Sequence, residues 1–335
     1  MYNFNEEEYR GNLTRQIAAF DDGVKLAEQI TKDGYKNIFF IAVGGTMAMM
    51  MHFGEIAKQL TDIPVYVQHA GEIVLTDHKQ LTKDTLVIMG SKSGDTKETV
   101  AAAKWVKEKG CRIASMVINM DSPLGQLTDY QLPLVVFKGV EYEYLSIFGL
   151  FYGLLNLHGD FPQLEEFKAQ LQTLPDILVA AQEKFDAPAA AMAEKYHNSE
   201  YLMWIGGGEL WGEVYLFSMC ILEEMQWIRT KSIQSSEFFH GTLELVDENT
   251  DVFLVKSAGA CRPIDERAER FLKEYGTNVE IIDVMDYMDG VKPEFAPYIA
   301  PIISTAVLNG RLSRYFEKNT GHNLDMRRYY RQFDY

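Results

Sequence analysis

The chain has 335 residues, of which 47% are hydrophobic and 24% charged, a composition typical of folded globular proteins. This length is enough for two domains or for one large α/β domain. The formal net charge of −16 argues against a protein that binds nucleic acid or an anionic membrane, since either function normally needs a basic patch. An anionic substrate would therefore have to be held locally, by backbone amides and hydroxyl groups.

Cysteine use and the apolar segments favour the cytoplasm as the compartment. The three cysteines form no Cys-x-x-Cys pair, so neither a disulfide framework nor a zinc ribbon is supported. Residues 1–8 are acidic and lack an apolar core, which is not the pattern of a secretory signal. The longest apolar run, 142–158, is shorter than the roughly 20 residues that cross a bilayer and contains Glu143. This run is predicted to be a buried helix, and no membrane partner is expected.

The first part of the chain is predicted to alternate between helices and strands. Residues 1–30 have a polar, helical pattern, and a second helix is predicted over 47–60 after the turn Gly44-Gly45-Thr46. The apolar, β-branched segments predict strands at 36–43, 64–67, 85–89, 112–118 and 132–137. Strands that alternate with helices favour a mostly parallel sheet covered on both faces.

The second part of the chain repeats this pattern after a helical connection. From about residue 141 to 197 helical periodicity dominates, and prolines at 162, 175 and 188 interrupt it. A strand at 200–205, a glycine turn at 206–208 and a helix at 209–229 then match the order seen at 38–60, which suggests an internal duplication. The remaining predicted elements are strands at 251–256 and 278–283, a helix at 305–318 and a polar, aromatic tail at 319–335.

The segment after the predicted strand at 85–89 has the composition of a phosphate-binding loop. Ser91, Ser93 and Thr96 supply hydroxyl donors, and the amides of the loop would lie at the start of a helix, where an anion is favoured. An ordinary N-capped helix explains the same residues equally well on spacing alone. The loop has neither the nucleotide P-loop ending nor the three-glycine dinucleotide fingerprint, so a nucleotide is not the first expectation. Thr46 also follows a strand and could converge on the same phosphate as a fourth hydroxyl.

The glycine turn at 206–208 is a weaker candidate for a second anion site. It follows a predicted strand as Gly44-Gly45-Thr46 does, but it contains no hydroxyl group. A tight turn at the start of a helix therefore explains the three glycines better.

Two residues in the second half are candidates for acid–base chemistry. Glu224 lies in an apolar helical segment, where partial burial would favour general-base behaviour, although most glutamates on helices are simply solvated. Its neighbour Glu223 is on another helical face and is predicted to be exposed. His240 could move a proton near neutral pH, or could be a histidine bonded within a turn. His240 and Glu244 have helical spacing but no third ligand in view, so no metal is expected.

In this order the motifs resemble those of the sugar isomerase (SIS) domain family, over nearly the whole chain. The similarity is to the double SIS domain of fructosamine (fructoselysine or glucoselysine) 6-phosphate deglycases and of the isomerase half of glucosamine-6-phosphate synthase. The resemblance implies two three-layer α-β-α sandwiches with mostly parallel sheets. It places an N-terminal SIS domain at 1–158, a helical connection at 159–196, a second SIS domain at 197–310, and the end of the last helix with the tail at 311–335.

The resemblance also implies roles for individual residues. Glu224 and His240 would be the base and the ring-opening residue, because they have the family's spacing of sixteen residues and His240 lies in the motif Glu237-Phe238-Phe239-His240-Gly241. The phosphate-binding residues would be Thr46, Ser91, Lys92, Ser93 and Thr96. Further candidates near the substrate or in the tail are Gly45, His322 and Arg327. The family tail closes over an active site built at a dimer interface, so a homodimer or higher homo-oligomer is expected, and His322 could reach a neighbouring subunit.

Two departures from the synthase pattern favour a deglycase. The chain lacks the glutaminase domain and its cysteine, and Ile221 stands where the synthase has a lysine three residues before the base. An enzyme-linked Schiff base is therefore not expected, which favours a substrate that already carries its amine. The expected reaction is hydrolysis of a 6-phosphofructosyl (or glucosyl) amine to glucose 6-phosphate and an amine, without any cofactor. A phosphosugar isomerase, an aminosugar-phosphate deaminase and a non-catalytic sugar-phosphate sensor remain as alternatives.

Overall fold

The computed structural model describes residues 1–333, so the last two residues of the predicted tail, 334 and 335, lie outside the described residues. The chain divides into two compact units. The first unit contains residues 7–175, and the second contains residues 1–6 together with the chain from residue 176 onwards. Each unit is an α/β structure built around one parallel sheet.

The first unit contains a five-stranded parallel sheet with the strand order β2-β1-β3-β4-β5. Its strands are β1 Asn37–Ala42, β2 Val65–His69, β3 Thr85–Gly90, β4 Arg112–Met116 and β5 Tyr130–Gln131. Its helices are α1 Glu6–Ala18, α2 Phe20–Asp33, α3 Gly44–Leu60, α4 Ala70–Thr76, α5 Lys97–Glu108, α6 Val140–His158 and α7 Leu164–Leu171. The two central strands, β1 and β3, are buried along their whole length, which explains why their sequences are continuous apolar runs.

The second unit contains a four-stranded parallel sheet with the strand order β7-β6-β8-β9. Its strands are β6 Tyr201–Gly206, β7 Arg229–Gln234, β8 Asp251–Lys256 and β9 Asn278–Asp283. Its α-helices are α8 Leu174–Tyr196, α9 Trp211–Leu216, α10 Glu224–Gln226, α11 Ser235–Phe238, α12 Arg262–Tyr275, α13 Ala296–Val307 and α14 Ser313–Thr320. Two π-helical segments, Phe217–Glu223 and Leu308–Leu312, join α9 to α10 and α13 to α14. The order of the four strands repeats that of β2-β1-β3-β4, as the predicted duplication requires.

The prediction of an α/β fold with two parallel sheets flanked by helices is confirmed, but the strand predicted at 132–137 is wrong. The strand β5 ends at Gln131, and the following residues are irregular. Pro133 lacks an N–H group for a ladder. The side chain of buried Gln16 takes the place of a neighbouring strand here: its amide donates to the Pro133 carbonyl at 2.7 Å, and its oxygen accepts from the amides of Val135 at 2.9 Å and Val136 at 3.2 Å.

The helix predicted at 209–229 is also wrong at its C-terminal end. The helical segment stops at Gln226, and Trp227 has a left-handed backbone with φ of 58°. The strand β7 follows immediately and was not predicted, because its sequence Arg-Thr-Lys-Ser-Ile-Gln is polar and half-exposed at the edge of the sheet. The last helical region begins earlier than predicted, since α13 starts at Ala296.

Among the described residues, no helix combines the length and the apolarity that crossing a bilayer would require. The long apolar helix α6 is instead buried within the first unit against α2. Two glycines bring these helices together: a Cβ atom placed on Gly23 would lie 2.9 Å from the Gly149 Cα atom. A Cβ on Gly149 would overlap the carbonyl oxygen of Phe20. The close packing of α2 on α6 therefore depends on the absence of a side chain at both positions.

We expect Gly149→Ala to lower the free energy of unfolding by about 1–3 kcal/mol, because the added methyl group overpacks the contact between α2 and α6. Gly11→Ala is the control, since Gly11 is exposed in helix α1 and has no atom within 4 Å of its Cβ position. That substitution should be neutral or stabilising by up to about 1 kcal/mol. Urea unfolding of both variants measures the difference, and equal midpoints would contradict the packing argument.

Candidate active site

The predicted phosphate loop follows β3 at the carboxyl edge of the first sheet. The Ser91 side chain is buried, and its Oγ atom lies 2.9 Å from Thr96 Oγ1 and accepts from the Gly94 amide at 3.1 Å. Thr96 precedes helix α5 at the N-cap position, but its side chain accepts no hydrogen bond from the helix. Its hydroxyl instead pairs with Ser91, so the geometry differs from that of an ordinary side-chain cap. Gly94 has a φ of 72°, a conformation that favours glycine.

Thr46 lies beside this loop, as the sequence predicts. Helix α3 begins at Gly44, whose φ is 58°, and Gly45 and Thr46 form its first turn. A Cβ atom on Gly90 would be 2.6 Å from Thr46 Cγ2, which shows how closely the start of α3 approaches the end of β3. The first turn of a 17-residue helix and a loop with three hydroxyl residues thus share one edge of the sheet. Such an arrangement can bind a phosphate group through amides and hydroxyls.

The other two predicted phosphate ligands are engaged elsewhere. The Lys92 ammonium nitrogen lies 2.5 Å from Glu143 Oε1. The exposed Ser93 hydroxyl donates to the carboxylate of Asp95. The structure therefore pairs the Ser91 and Thr96 hydroxyls and places the Thr46 methyl group next to Gly90, whereas Lys92 and Ser93 would have to change partners to contact a phosphate.

Two buried acids behind this loop were missed by the sequence reasoning. Glu141 and Glu143 lie in the first turn of α6 and are only 8% and 4% exposed. Burial raises the pKa of Glu141 to about 7, and it also raises the pKa of Glu143 although the Lys92 charge opposes the shift. The sequence feature that could have identified them is a pair of acids at the start of an apolar helix, where the helix dipole favours negative charge. The unit thus holds a carboxyl group that titrates near neutral pH close to its candidate phosphate loop.

In the second unit, Glu224 lies where the π-helical segment Phe217–Glu223 ends. Its side chain is 29% exposed, and the Nε atom of Arg327 donates to Glu224 Oε1 at 2.7 Å. The adjacent Glu223 is exposed, as predicted, and accepts from the Thr230 hydroxyl at 2.6 Å. The half-buried position of Glu224 agrees with the expectation of partial desolvation. Its partner Arg327, also a tail candidate from the sequence, lies 103 residues further along the chain.

The rest of the tail packs on the residues that follow Glu224. Gln226 donates to the carbonyl of His322 at 2.7 Å and accepts from the Thr320 hydroxyl at 2.7 Å. The His322 ring packs edge-on against Trp227 with 4.2 Å between centroids, and its two ring nitrogens are buried without a hydrogen-bond partner among the described residues. The Arg328 guanidinium lies over the Trp227 ring at 4.1 Å. Both His322 and Arg327 are thus close to the Glu224 segment of their own chain.

This part of the second unit lines an open cavity of about 1290 Å³. Its walls combine Glu224 with three arginines and four aromatic residues: Arg229, Arg327, Arg328, Trp227, Tyr329, Tyr330 and Phe333. A large concave space with an apolar wall and a few converging charged groups is the usual form of a small-molecule site.

His240 is placed differently. It occupies an exposed turn after α11, where its amide donates to the Glu237 carbonyl at 3.0 Å, and it is not part of the cavity wall. Glu244 is exposed as well and lies in a separate 3-10 turn. Among residues 1–333, the one group with metal-ligand spacing is Asp62, His158 and Asp160, on the surface of the first unit. None of the predicted site residues belongs to that group.

The glycine turn at 206–208 leads into a 3-10 helix, Gly208–Leu210, as the simpler interpretation predicts. The next residue, Glu209, is 1% exposed, and its Oε1 atom accepts from the amides of Ala258 and Gly259, both at 2.7 Å. These amides follow β8, the strand that corresponds to β3 in the duplicated order. The position that corresponds to the phosphate loop is therefore filled by a carboxylate of the chain itself.

Comparisons with known proteins agree with this architecture. The SIS domain model matches residues 34–144. The chain is 30% identical over 311 residues to the fructosamine deglycase FrlB of Bacillus subtilis (strain 168), a match that covers 89% of this chain and 92% of that protein. It is 24% identical over 305 residues to the fructoselysine 6-phosphate deglycase of Escherichia coli (strain K12), covering 91% of this chain and 88% of the relative. A crystal structure from Bacillus subtilis, described as a candidate phosphosugar isomerase, has a TM-score of 0.85 at 25% identity and covers 98% of this chain and 100% of that one.

Two parallel α/β units with one strand order, and a hydroxyl-rich loop at the edge of the first, define the fold of the phosphosugar isomerase class. The chain belongs to the SIS domain family, and its relatives are enzymes of the phosphosugar isomerase and deglycase type. The resemblance inferred from the sequence motifs is therefore confirmed.

The raised pKa of the buried Glu141 carboxyl predicts how the stability of the fold depends on pH. Because its pKa in the folded state, about 7, exceeds the ordinary value of 4.5, its protonated form favours folding, and this contribution is lost as the pH rises from 4.5 through 7. We expect the stability of Glu141→Gln relative to the wild type to rise by about 3 kcal/mol between pH 4.5 and pH 8. Denaturant unfolding at several pH values measures this change.

Glu165→Gln serves as the control for that experiment, since Glu165 is an exposed acid in the first turn of α7. It reports the general effect of removing one negative charge from the first unit. A stability difference for Glu141→Gln that follows the same pH dependence as the control would refute the argument from burial.

Proposed function

We propose that the chain is a fructosamine 6-phosphate deglycase. The substrate would be an amine or amino acid joined to carbon 1 of fructose 6-phosphate, or the corresponding glucosyl amine, and water would release glucose 6-phosphate and the free amine. The observation that carries the proposal is Glu224, a half-buried carboxylate held by Arg327 in the wall of a cavity large enough for such a substrate. The deglycases among the relatives support it.

The proposed chemistry needs one base and one anchor. The phosphate is held by the loop hydroxyls of Ser91 and Thr96 with Thr46, and by Ser93 and Lys92 once they leave their present partners. Binding energy from the phosphate, remote from the reacting carbons, then positions the sugar. His240 is assigned to ring opening, in which the ring oxygen takes a proton and the carbonyl at carbon 2 forms, although it lies outside the cavity wall of its own chain.

Glu224 then transfers one proton between two carbons of the open-chain substrate. It removes a proton from carbon 1, which the neighbouring carbonyl acidifies, while the oxygen of that carbonyl takes up a proton from water, and an enaminol forms. Returning the first proton to carbon 2, as the amine nitrogen gives up its own proton to water, produces an imine at carbon 1. Water then adds to the imine and expels the amine. Since Arg327 binds Oε1, the proposal assigns the proton to Oε2 of Glu224. Electrons and protons balance within the substrate and water, so the reaction does not call for an added oxidant or reductant.

A phosphosugar isomerase or an aminosugar-phosphate deaminase is the second candidate. The structural match to a candidate phosphosugar isomerase favours it, and the same base and phosphate anchor would serve. A sugar-phosphate sensor would bind the substrate without turnover, so any turnover that depends on Glu224 would exclude it. We keep a homodimer or higher homo-oligomer and a cytoplasmic location as predictions.

The test of the proposed function is release of glucose 6-phosphate, measured by a coupled assay, from fructoselysine 6-phosphate and fructoseaspartate 6-phosphate. We expect Glu224→Gln to lower kcat by about 10²–10⁴-fold, the usual range for loss of a general base. Glu223→Gln, which changes the exposed neighbouring acid, should lower it less than about tenfold. Unchanged turnover by Glu224→Gln would exclude this residue as the base, and activity only on simple phosphosugars would favour the second candidate.

Arg327 is predicted to position Glu224 rather than to bind the substrate. Arg327→Gln should lower kcat by about 10²-fold with a smaller change in KM, because a carboxylate displaced by about 1 Å no longer meets the proton on carbon 1. Arg327→Lys should recover only part of kcat, since an ammonium group lacks the planar donor geometry of Arg327. A rise in KM at constant kcat would contradict the positioning role and indicate direct substrate binding instead.

A further inference from the structure

The cavity beside Glu224 contains cationic groups that the base does not use. Two of the three nitrogens of Arg327 are engaged within the chain: Nε binds Glu224, and one terminal nitrogen donates to the carbonyls of Leu324 at 2.6 Å and Met326 at 3.0 Å. Arg229 and Arg328 also line the cavity, and neither guanidinium has an ion pair or hydrogen bond among the described residues. Besides the ion pair that holds the base, the wall thus carries two arginines and also two further acids, Glu200 and Glu223, so what distinguishes these arginines is their lack of an ion-pair partner among the described residues.

Arg328 is better arranged for recognition than Arg229. Its guanidinium carbon lies 4.1 Å from the centre of the Trp227 ring, a cation–π contact that restricts the long side chain. A guanidinium that keeps its N–H donors out of other hydrogen bonds can form a bidentate bond to a carboxylate. Arg229, at the start of β7, is exposed and makes no comparable contact among residues 1–333.

Trp227, whose ring lies under Arg328, has an uncommon backbone conformation. Trp227 has a φ of 58°, which is unfavourable for a large side chain without outside support. That support comes from both faces of the segment: Gln226 binds Thr320 and the His322 carbonyl, and the His322 ring packs on Trp227. Backbone strain that a chain maintains next to a cavity is commonly associated with a binding function.

We propose that Arg328, stacked on Trp227, binds the carboxylate of the amino acid that the enzyme releases. This inference rests on the proposed deglycase function and narrows its substrate class to 6-phosphofructosyl amino acids rather than 6-phosphofructosyl derivatives of simple amines. The phosphate is already assigned to the loop of the first unit, so a second anionic group on the substrate requires its own cation. Arg328 is accordingly a specificity-determining residue, and it takes no part in the proton transfer.

The test compares matched substrates that differ only in the carboxylate. The pairs are the 6-phosphofructosyl derivatives of lysine and cadaverine, joined through a terminal amine, and of glycine and methylamine, joined through the α-amine. We expect the wild type to favour the carboxylate-bearing member of at least one pair by about 10- to 100-fold in kcat/KM, the range for a hydrogen bond to a charged group. Arg328→Gln should reduce this preference to less than about threefold, through KM, and should hardly change activity on the carboxylate-free member.

Two further variants separate recognition from structure. Arg328→Lys keeps the charge without the planar fork and should retain part of the preference. Arg314→Gln is the control, because Arg314 is a partly exposed residue of α14 outside the cavity wall and pairs with Glu317. It should leave the preference as in the wild type.

The outcomes distinguish this inference from the proposed function. A wild type that turns over fructosamine phosphates but ignores the carboxylate overturns the role of Arg328 alone. Equal losses on both members of a pair in Arg328→Gln overturn it as well, since they indicate a structural role. A wild type that is inactive on all four compounds overturns both proposals together.

Discussion

A carboxylate that leaves water must meet hydrogen-bond donors or cations inside the protein, and this requirement shapes both units of the chain. Glu143 is met by Lys92, Glu209 by two backbone amides, and Glu224 by Arg327. Asp265, which is fully buried, accepts from the hydroxyls of two serines and from a backbone amide. Each of these acids fixes a segment next to the end of a strand or to the tail, so the structure of both units depends on hydrogen-bonded carboxylates as well as on apolar packing.

The two units have one topology but use the same position of the fold differently. After β3 the loop carries three hydroxyl residues at the edge of the sheet, and no carboxylate of the chain accepts from the Ser91 hydroxyl among the described residues. After β8 the corresponding amides are bonded to Glu209, so an anion there would have to displace an internal carboxylate. The duplicated topology therefore carries a hydroxyl-rich loop in the first unit and an internally bonded carboxylate at the corresponding position of the second unit.

The sequence predicted those parts of the fold in which a local pattern reports burial. Strands β1, β3 and β8 are apolar runs, and the hydroxyls of the loop at 91–96 are recognisable in the sequence. The strand β7 could not be recognised, because a polar strand at the edge of a sheet lacks an apolar pattern. The site shows the same limit: Glu224 was a candidate from its apolar helix, but its bond to Arg327 joins residues 103 positions apart. Contacts of that kind depend on the tertiary fold, which local spacing does not encode.

The break at Trp227 links these observations. A helix that continued to residue 229, as the periodicity suggests, would turn the chain away from the sheet and would leave no room for β7. The left-handed residue instead ends the helix three residues after Glu224 and directs the chain into the edge strand. Tail residues then pack on this turn through Gln226 and the Trp227 ring, and they offset the cost of the strained backbone, which is of the order of 1–3 kcal/mol. The cavity, the base and the tail are therefore parts of one local structure, and a change in any one of them should alter the structure of the other two.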